Sequence, residues 1–280
     1  MSDRMLRLPV RHFQIAQLYG PGMPPSGREG YHVGAVEKPV GQVGLVLVHC
    51  WNLGEADGPY PFKPGVRIPG QAGNWVPAAR QVVRDRIAPA LRAARRAGVP
   101  VFHLAQARYA SRYDGYRKVQ ADPAMREPAR DAVEGCVRPR TGEDQLAAEY
   151  GLDFPGCVWD THAETFGIAS DLKPAGTDAV VVNGWQLNRL CREGDIDTLV
   201  YAGFMADICL INSSGAIREM ANRHRYNCVV LRECTVAYEY PETVEGRWMT
   251  FAAIRLIETE FGCSASAEDF IAAAEAAAGA

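Results

Sequence analysis

The sequence predicts an α/β protein with a doubly wound, mainly parallel β-sheet that carries helices on both faces in a three-layer α/β/α arrangement. Short runs of apolar and β-branched residues recur along the chain, which is typical of strands buried on both faces of a parallel sheet. Helix-like segments separate these runs, and alternating strands and helices form such a sheet through right-handed crossovers. The predicted strands are residues 43–48, 99–102, 179–182, 197–202 and 228–231.

The sequence predicts helices between and after these strands. In the first helix, Asn74 can cap the amino terminus, Gly98 follows the carboxyl end, and Pro89 should kink the helix or split it. The predicted helices are residues 76–97, 162–172, 186–193, 209–221, 241–259 and 267–278.

The chain is long enough for one large α/β domain or at most two small ones, and we expect one. Residues 41–280 should form this domain, because the strand and helix patterns run through them. Residues 1–40 contain clustered glycine and proline and should form an extension that packs on the core or on a neighbouring subunit. Residues 104–156 have weak periodicity and should form an excursion over the carboxyl edge of the sheet.

Composition limits the partners that we expect. A net charge of −3 argues against nucleic acid or an anionic membrane, and no apolar run approaches the roughly 20 residues that cross a bilayer. The first residues lack the apolar segment of a secretory signal, and the eight cysteines contain no Cys-x-x-Cys pair. We therefore expect a cytoplasmic protein with reduced thiols that acts on a small molecule, without nucleic acid or membrane partners.

One cysteine occupies a position that suits chemistry. Residues 198–202 have the pattern of a strand, Gly203 begins a turn, and Cys209 stands near the start of the next helix pattern. The positive end of a helix dipole favours the thiolate form of such a cysteine and lowers its pKa. Cys209 is therefore a candidate nucleophile. The alternative is that Cys209 is a small buried hydrophobic residue.

Polar and aromatic side chains follow the other predicted strands. Ligands collect beyond the carboxyl ends of parallel strands, so residues placed there are candidates for substrate contacts. His49 follows the first strand, together with Trp51 and Asn52, and His103 follows the second strand. Trp185 comes shortly after the third strand and could form a pocket wall with Trp51. Each of these residues could instead be an ordinary core or rim residue.

Four stretches of the chain resemble a known family. They are VGLVLVHCWN, AGVPVFH, DAVVVN and IDTLVYAGFMADICLINSSGAI, and in this order they resemble the isochorismatase-like cysteine hydrolases over residues 41–275. This superfamily includes nicotinamidases, N-carbamoylsarcosine amidohydrolases and isochorismatases. The segment GFMADICL is similar to the family's Gly-x-x-x-Asp-x-Cys turn.

The resemblance implies a set of site residues. Cys209 would be the nucleophile, and the bond between Phe204 and Met205 would be the family's non-proline cis peptide bond. The backbone N–H groups of Met205 and Cys209 would form an oxyanion hole. The resemblance also suggests a homo-oligomer, either a dimer or a tetramer.

The chain departs from the family at two other positions. The family's aspartate after the first strand is replaced by His49, and its lysine after the third strand is replaced by Asn183. Cys209, His49 and Asn183 would then form a set in which the histidine is the base and the asparagine orients it. Alternatively, His49 and Asn183 hydrogen-bond in a degenerate pocket and Cys209 is vestigial. The family's metal-ligand pattern is absent from residues 52–75, so we predict no metal and no cofactor.

These residues predict a hydrolase that cleaves a C–N bond, amide or carbamoyl, of a small molecule through a cysteine thioester. The first alternative is a catalytically inactive binding or scaffold protein on the same fold. A second is vinyl-ether hydrolysis of the isochorismatase type, against which the missing aspartate argues.

Asp207 should accept backbone donors in the turn, and Cys50 should point to the face opposite His49.

Overall fold

The computed structural model describes residues 4–15, 28–58, 72–128 and 164–279, which form an eight-stranded sheet with helices on both faces. The strands are β1 (Met5–Ile15), β2 (Arg28–Pro39), β3 (Val43–Val48), β4 (Val101–Leu104), β5 (Ala179–Val181), β6 (Thr198–Gly203), β7 (Asn227–Leu231) and β8 (Cys263–Ala265). Their order in the sheet is β2-β1-β8-β7-β6-β3-β4-β5. Strands β3 to β8 pair in parallel, and β1 pairs antiparallel with β2 and β8. The predicted fold class is confirmed.

The helices lie between these strands and at the carboxyl end of the chain. A π-helical turn, Val83–Ile87, joins α1 to α2, and short 3-10 helices lie at Val40–Gln42, Pro123–Met125 and Ser170–Leu172. None of the described helices is long and apolar enough to span a bilayer. The α-helices are α1 (Ala72–Val82), α2 (Ala88–Ala97), α3 (Ala107–Ala110), α4 (Asp114–Ala121), α5 (Gly184–Glu193), α6 (Cys209–Asn212), α7 (Ile217–Asn222), α8 (Trp248–Glu260) and α9 (Ala267–Gly279).

Strand β3 shows how the sheet builds a core on each face. All six of its residues are buried. Leu45 and Leu47 belong to the apolar cluster with α1, α2 and α9, whereas Val46 and Val48 belong to the cluster with α5 to α8. Successive side chains of a strand point to opposite faces, so a strand covered on both sides requires a continuous apolar run.

All five predicted strands are present, with ends that differ by at most two residues. The largest difference is in β4, which begins after Pro100 and extends to Leu104. Pro100 has no N–H for the ladder, although its carbonyl accepts a hydrogen bond from the Leu45 amide at 2.8 Å. The prediction missed β1, β2 and β8.

The first 40 residues contribute two strands to this sheet. In β1, Leu6, Leu8 and Val10 are buried in the same cluster as Phe270 of α9 and alternate with residues that are exposed. Such alternation predicts a strand with one buried face, and it is visible in the sequence MLRLPV. The extension is therefore built into the sheet edge.

Several helix predictions need correction. Residues 164–172 form turns and a short 3-10 helix instead of an α-helix, and residues 162–163 lie outside the described residues. The helix predicted at 209–221 is divided into α6 and α7, because Ser213 is extended and Gly215 has a φ of 88°. The helix predicted at 241–259 begins only at Trp248, after a series of turns.

The helix predicted at residues 76–97 also differs from the helices in the structure. It begins at Ala72, so Asn74 lies inside the first turn and is not the residue before the helix. Pro89 lies two residues after a π-helical turn inside a continuous helical segment, and this turn divides the helix there, as expected for an internal proline. Of the predicted excursion, residues 105–128 contain α3, α4 and a 3-10 helix, and residues 129–156 lie outside the described residues.

Candidate active site

Three neighbouring strands bring the candidate residues to one edge of the sheet. The order β6-β3-β4 places the carboxyl ends of these strands side by side. The Phe204 amide, just after β6, donates to the Val48 carbonyl at 2.9 Å. The His49 amide, just after β3, donates to the Leu104 carbonyl at 3.0 Å. The turn that leads to Cys209 therefore lies against the end of β3.

This turn depends on a glycine. Gly203 has a φ of 122°, and a Cβ atom there would overlap the Val48 carbonyl oxygen. Only glycine combines this conformation with so close an approach. The next peptide bond, Phe204–Met205, is cis. The Ala206 amide then donates to the Val236 carbonyl at 2.8 Å, which fixes the other side of the turn.

Cys209 is the first residue of α6, and its side chain is partly exposed. The Ser213 side chain and the Met205 backbone lie near its sulfur. Burial raises the pKa of the Cys209 thiol, the polar groups of Ser213 and Met205 lower it, and the nearby Asp207 carboxylate raises it; the net change is upward. The expected lowering by the helix dipole is therefore wrong, because α6 is only one turn long and burial dominates.

The two amides proposed for an oxyanion hole are available. Among the described residues, neither the Met205 nor the Cys209 N–H donates to a backbone carbonyl. The Met205 backbone lies close enough to the Cys209 sulfur to lower the pKa of the thiol. Asp207 accepts a hydrogen bond from the Tyr238 amide at 3.2 Å, so it holds the segment after β7 against the turn.

His49 is buried where β3 ends. It adopts a φ of 46°, is 8% exposed, and stacks on Trp51 with ring centroids 5.4 Å apart. Burial lowers its pKa to about 4, with a further contribution from the charge of Arg108. Its Nδ1 has no hydrogen-bond partner among the described residues, and no hydrogen bond joins it to Cys209. His49 is therefore neutral at pH 7 and next to the turn.

Asn183 has a structural role at the start of α5. It is the residue before this helix, and its side-chain oxygen accepts a hydrogen bond from the Gln186 amide at 2.9 Å. This is the geometry of a helix N-cap. Among the described residues no hydrogen bond connects Asn183 to His49, so the orientation of His49 by Asn183 stays a prediction.

Asn52 was predicted to contact substrate, but both polar atoms of its side-chain amide hydrogen-bond to backbone groups. Its nitrogen donates to the Thr165 carbonyl at 2.9 Å, and its oxygen accepts from the Gly167 amide at 2.9 Å. The Asn52 side chain thus ties the loop after β3 to residues 165–167. Trp51 is buried, and its backbone forms an isolated antiparallel bridge with Ile168. Its predicted contact with substrate stays a prediction.

His103 does not lie at the candidate site. It is inside β4, 2% exposed, and its Nε2 lies 3.2 Å from Asp178, the residue before β5. Arg95 pairs with the same carboxylate. Burial lowers the pKa of His103, and the hydrogen bond with Asp178 opposes this change. The predicted substrate contact is therefore wrong, because β4 continues past His103 and the ring pairs towards the amino end of β5.

Trp185 and Cys50 complete the predicted set. The Trp185 indole N–H donates to the Ala124 carbonyl at 3.0 Å, which connects α5 to the 3-10 helix Pro123–Met125. Its role as a pocket wall stays a prediction. Cys50 is buried, and burial raises the pKa of its thiol well above the ordinary value. This agrees with the choice of Cys209 over Cys50 as nucleophile.

The sequence is similar to a known protein family. The model of the isochorismatase domain matches residues 66–260, which is more than half of the chain. The chain belongs to the isochorismatase family. No curated protein matches the sequence.

Solved structures related to this isochorismatase-family chain are distant. A cysteine hydrolase from Pseudomonas syringae pv. phaseolicola 1448A is 18% identical, with a TM-score of 0.46, over 85% of this chain and 94% of that chain. An isochorismatase family protein from Desulfovibrio vulgaris is 20% identical, with a TM-score of 0.44, over 81% of this chain and 95% of that chain. An isochorismatase family protein from Burkholderia thailandensis is 19% identical, with a TM-score of 0.42, over 84% of this chain and 96% of that chain. Similarity this low supports no conclusion about activity.

The structure adds residues that the sequence reasoning did not assign to the site of this isochorismatase-family protein. Arg108 of α3 lies close enough to lower the pKa of His49. Ser213 lies close enough to lower the pKa of Cys209, and its spacing of four residues from Cys209 could have indicated this. Tyr238 contacts the turn through Asp207, and no local pattern predicts that contact. Within the described ranges, no three His, Cys, Asp or Glu side chains are grouped as metal ligands.

Proposed function

We propose that this isochorismatase-family protein is a hydrolase that cleaves the C–N bond of a small amide or carbamoyl compound through a thioester on Cys209. The observation that carries the proposal is the position of the partly exposed Cys209 sulfur beside the Met205 amide, after a turn fixed by Gly203. Family membership supports a hydrolase, and the thiol next to unpaired backbone donors supports attack on a carbonyl.

The proposed reaction has two steps. The Cys209 sulfur attacks the carbonyl carbon, the C–N bond breaks, and the amine leaves with a proton. Water then attacks the thioester, which releases the acid and restores the thiol. The amides of Met205 and Cys209 would bind the oxyanion in both steps, and each such donor typically contributes about 2.7–4 kcal/mol of transition-state stabilisation.

A base must remove the thiol proton, because burial raises the pKa of Cys209 above that of an ordinary cysteine. We propose His49 for this role. It follows the neighbouring strand and is neutral at pH 7, so a ring nitrogen can receive the proton. Its lowered pKa makes it a weak base at rest, and substrate binding would have to raise that pKa for the transfer. Because no hydrogen bond joins the two side chains, the proton would pass through one water molecule or after a small movement on substrate binding.

A binding protein without turnover is the second candidate. Two observations favour it. Asn183 caps α5 and makes no hydrogen bond to His49 among the described residues, and the Cys209 thiol is protonated at rest. This candidate predicts that small amides bind equally well to the wild type and to Cys209→Ala.

Turnover separates the two candidates. Ammonia release would be measured with nicotinamide, benzamide and N-carbamoylglycine for the wild type, Cys209→Ala and Cys209→Ser. Cys263→Ala, which removes another partly exposed cysteine, is the matched control. We expect both Cys209 variants to lose at least 100-fold in rate, since loss of a nucleophile removes the covalent step, and the control to keep its activity. Equal rates in the wild type and Cys209→Ala would refute the proposed nucleophile.

A further inference from the structure

An exposed stripe of aromatic and arginine side chains runs from α8 onto the amino-terminal hairpin. Trp248 is 64% exposed, Phe251 is 59% exposed, and their ring centroids lie 6.5 Å apart. Arg255 follows one turn later on the same side of α8. Its guanidinium carbon lies 3.8 Å from the ring centroid of Phe13 and 4.9 Å from that of Tyr31. We call these five residues the aromatic stripe.

The hairpin end of the aromatic stripe is held in place. The Tyr31 hydroxyl accepts hydrogen bonds from the Arg255 guanidinium at 2.9 and 3.2 Å. Arg11 stacks over the Tyr31 ring at 4.2 Å and donates to the buried Glu258 carboxylate at 2.9 Å. Val33, which shares a face of β2 with Tyr31, is 81% exposed and extends the surface. Side chains fixed in this way lose little freedom when a partner binds.

The aromatic stripe has the composition and the area of an interface core. Interface cores are enriched in Trp, Tyr, Phe and Arg, and they are depleted in Lys, Glu and Asp. Together, Trp248, Phe251 and Val33 expose roughly 400 Å² of apolar surface, since one aromatic side chain carries about 150–250 Å². A standard interface buries about 800 Å² on each partner, and part of that area is a polar rim. The stripe is therefore large enough for the core of one stable interface.

The charges at the two ends of the aromatic stripe fit a second copy of the same surface. Glu242 and Glu245 are exposed in the turns before α8, at the Trp248 end. Arg255 and Arg11 lie at the opposite end. A two-fold rotation exchanges the ends, so the acidic end of one copy faces the basic end of the other. The surface is therefore complementary in charge to itself.

A two-fold axis near Phe251 also matches the ring surfaces. Trp248 and Arg255 lie about 5 Å to either side of this axis along α8, given a rise of about 1.5 Å per residue. Each Trp248 would therefore face Arg255 of the partner subunit. One face of the guanidinium group stacks on Phe13, and the side chain is still half exposed. Its other face can take the tryptophan ring as a cation–π pair.

We propose that the aromatic stripe is the interface between two copies of this chain, related by a two-fold axis near Phe251 that places the two α8 helices antiparallel. The interface needs no reaction at Cys209, so it goes beyond the proposed function and does not depend on it.

Sedimentation velocity of the full chain measures the assembly. At about 10 µM we expect the wild type to have at least twice the monomer mass. Phe251→Glu should raise the dissociation constant of the interface at least 100-fold, because it places two carboxylates against each other across the axis. Leu256→Glu is the matched control, since Leu256 is exposed on the other side of α8, and it should assemble like the wild type. A monomeric wild type, or an unchanged dissociation constant in Phe251→Glu, would overturn the proposal.

Charge reversal tests the antiparallel arrangement. Glu245→Lys should raise the dissociation constant about fivefold at low salt, because it faces the arginines of the partner subunit, and this difference should shrink in about 1 M salt. Glu268→Lys makes the same change of charge at an exposed position on α9 and should behave like the wild type. Equal dissociation constants for the two variants would overturn the antiparallel pairing.

Circular dichroism checks that each variant is folded. If Phe251→Glu does not fold, Phe251→Ala takes its place, with an expected rise in the dissociation constant of at least tenfold. An unchanged dissociation constant in Phe251→Ala would then overturn the proposal. Because no turnover is measured, failure of hydrolysis at Cys209 leaves these results intact.

Discussion

The thiol of Cys209 is subject to opposing effects. Burial raises its pKa, whereas the nearby polar groups of Ser213 and the Met205 backbone lower it. Since α6 has only one turn, its dipole adds little to the stabilisation of the thiolate. The resting site therefore holds a protonated thiol, and substrate binding or a base must assist its ionisation.

His49 should give the protein a distinct dependence of stability on pH. Its pKa falls from 6.5 in an unfolded chain to about 4 in the folded protein, mainly because it is buried. The folded state disfavours the protonated ring. The contribution of His49 to the free energy of unfolding is therefore complete above pH 6.5 and is lost as the pH falls towards 4. This difference between the two pKa values corresponds to roughly 3 kcal/mol.

We therefore expect His49→Gln to lose less free energy of unfolding than the wild type between pH 7 and pH 4.5. Urea unfolding at both pH values measures this difference. Other buried groups, such as His103, contribute equally to both proteins and cancel in the comparison. The same loss in the wild type and the variant would show that the His49 ring is solvated.

Single residues also show what the sequence could predict about the site. The position of Cys209 after a strand and a glycine turn is visible in the sequence, as is that of His49 at a strand end. The roles of Asn52, Asn183 and His103 could not be predicted. They depend on hydrogen-bond partners that the local sequence does not reveal: Thr165 and Gly167 lie far from Asn52 in sequence, and Asp178 lies far from His103.

Helix α5 carries the clearest prediction for a single element. Asn183 caps it with a 2.9 Å hydrogen bond to the Gln186 amide. Asn183→Ala should lower the free energy of unfolding by about 1 kcal/mol, because the first turn loses its acceptor. Asn183→Asp keeps an acceptor of the same length and should match the wild type. Denaturant unfolding of the three proteins is the measurement, and an unchanged stability in Asn183→Ala would contradict the cap.

Continuous burial explains which strands are clearest in the sequence, and short length explains why some other elements are not. β3 and β6 are buried over six residues each, and such apolar runs are easily recognised. β8 has three residues, and α6 and α7 have four and six, which is too short for a periodic pattern. Their positions depend on pairing with β7 and on the turn at Gly215.

Across the whole molecule, the amino-terminal hairpin extends the sheet by two strands. β1 pairs with β8, and its buried side chains pack in the cluster that contains α9. Long-range pairing of this kind joins the two ends of the chain, and its register cannot be read from either end alone. The prediction of an extension could identify the segment but not the sheet edge that it completes.

If this hairpin is part of the cooperative fold, Leu8→Ala should be strongly destabilising. Leu8 is 0% exposed, and removal of a fully buried leucine side chain typically costs 2–5 kcal/mol, so a loss of about 3 kcal/mol is expected. Arg7→Ala, at the neighbouring exposed position, should change stability by less than about 0.5 kcal/mol. Urea unfolding followed by circular dichroism measures both. Equal stability of the two variants would show that the hairpin unfolds separately.

The central claim is that Cys209 forms a covalent intermediate. The most direct measurement is mass spectrometry of acid-quenched protein during turnover of whichever amide releases ammonia fastest. We predict an acyl group on the peptide that contains Cys209, removed by hydroxylamine as a thioester should be, and no such adduct in Cys209→Ala. Turnover without an adduct on Cys209, or an adduct only on another cysteine, would contradict the account.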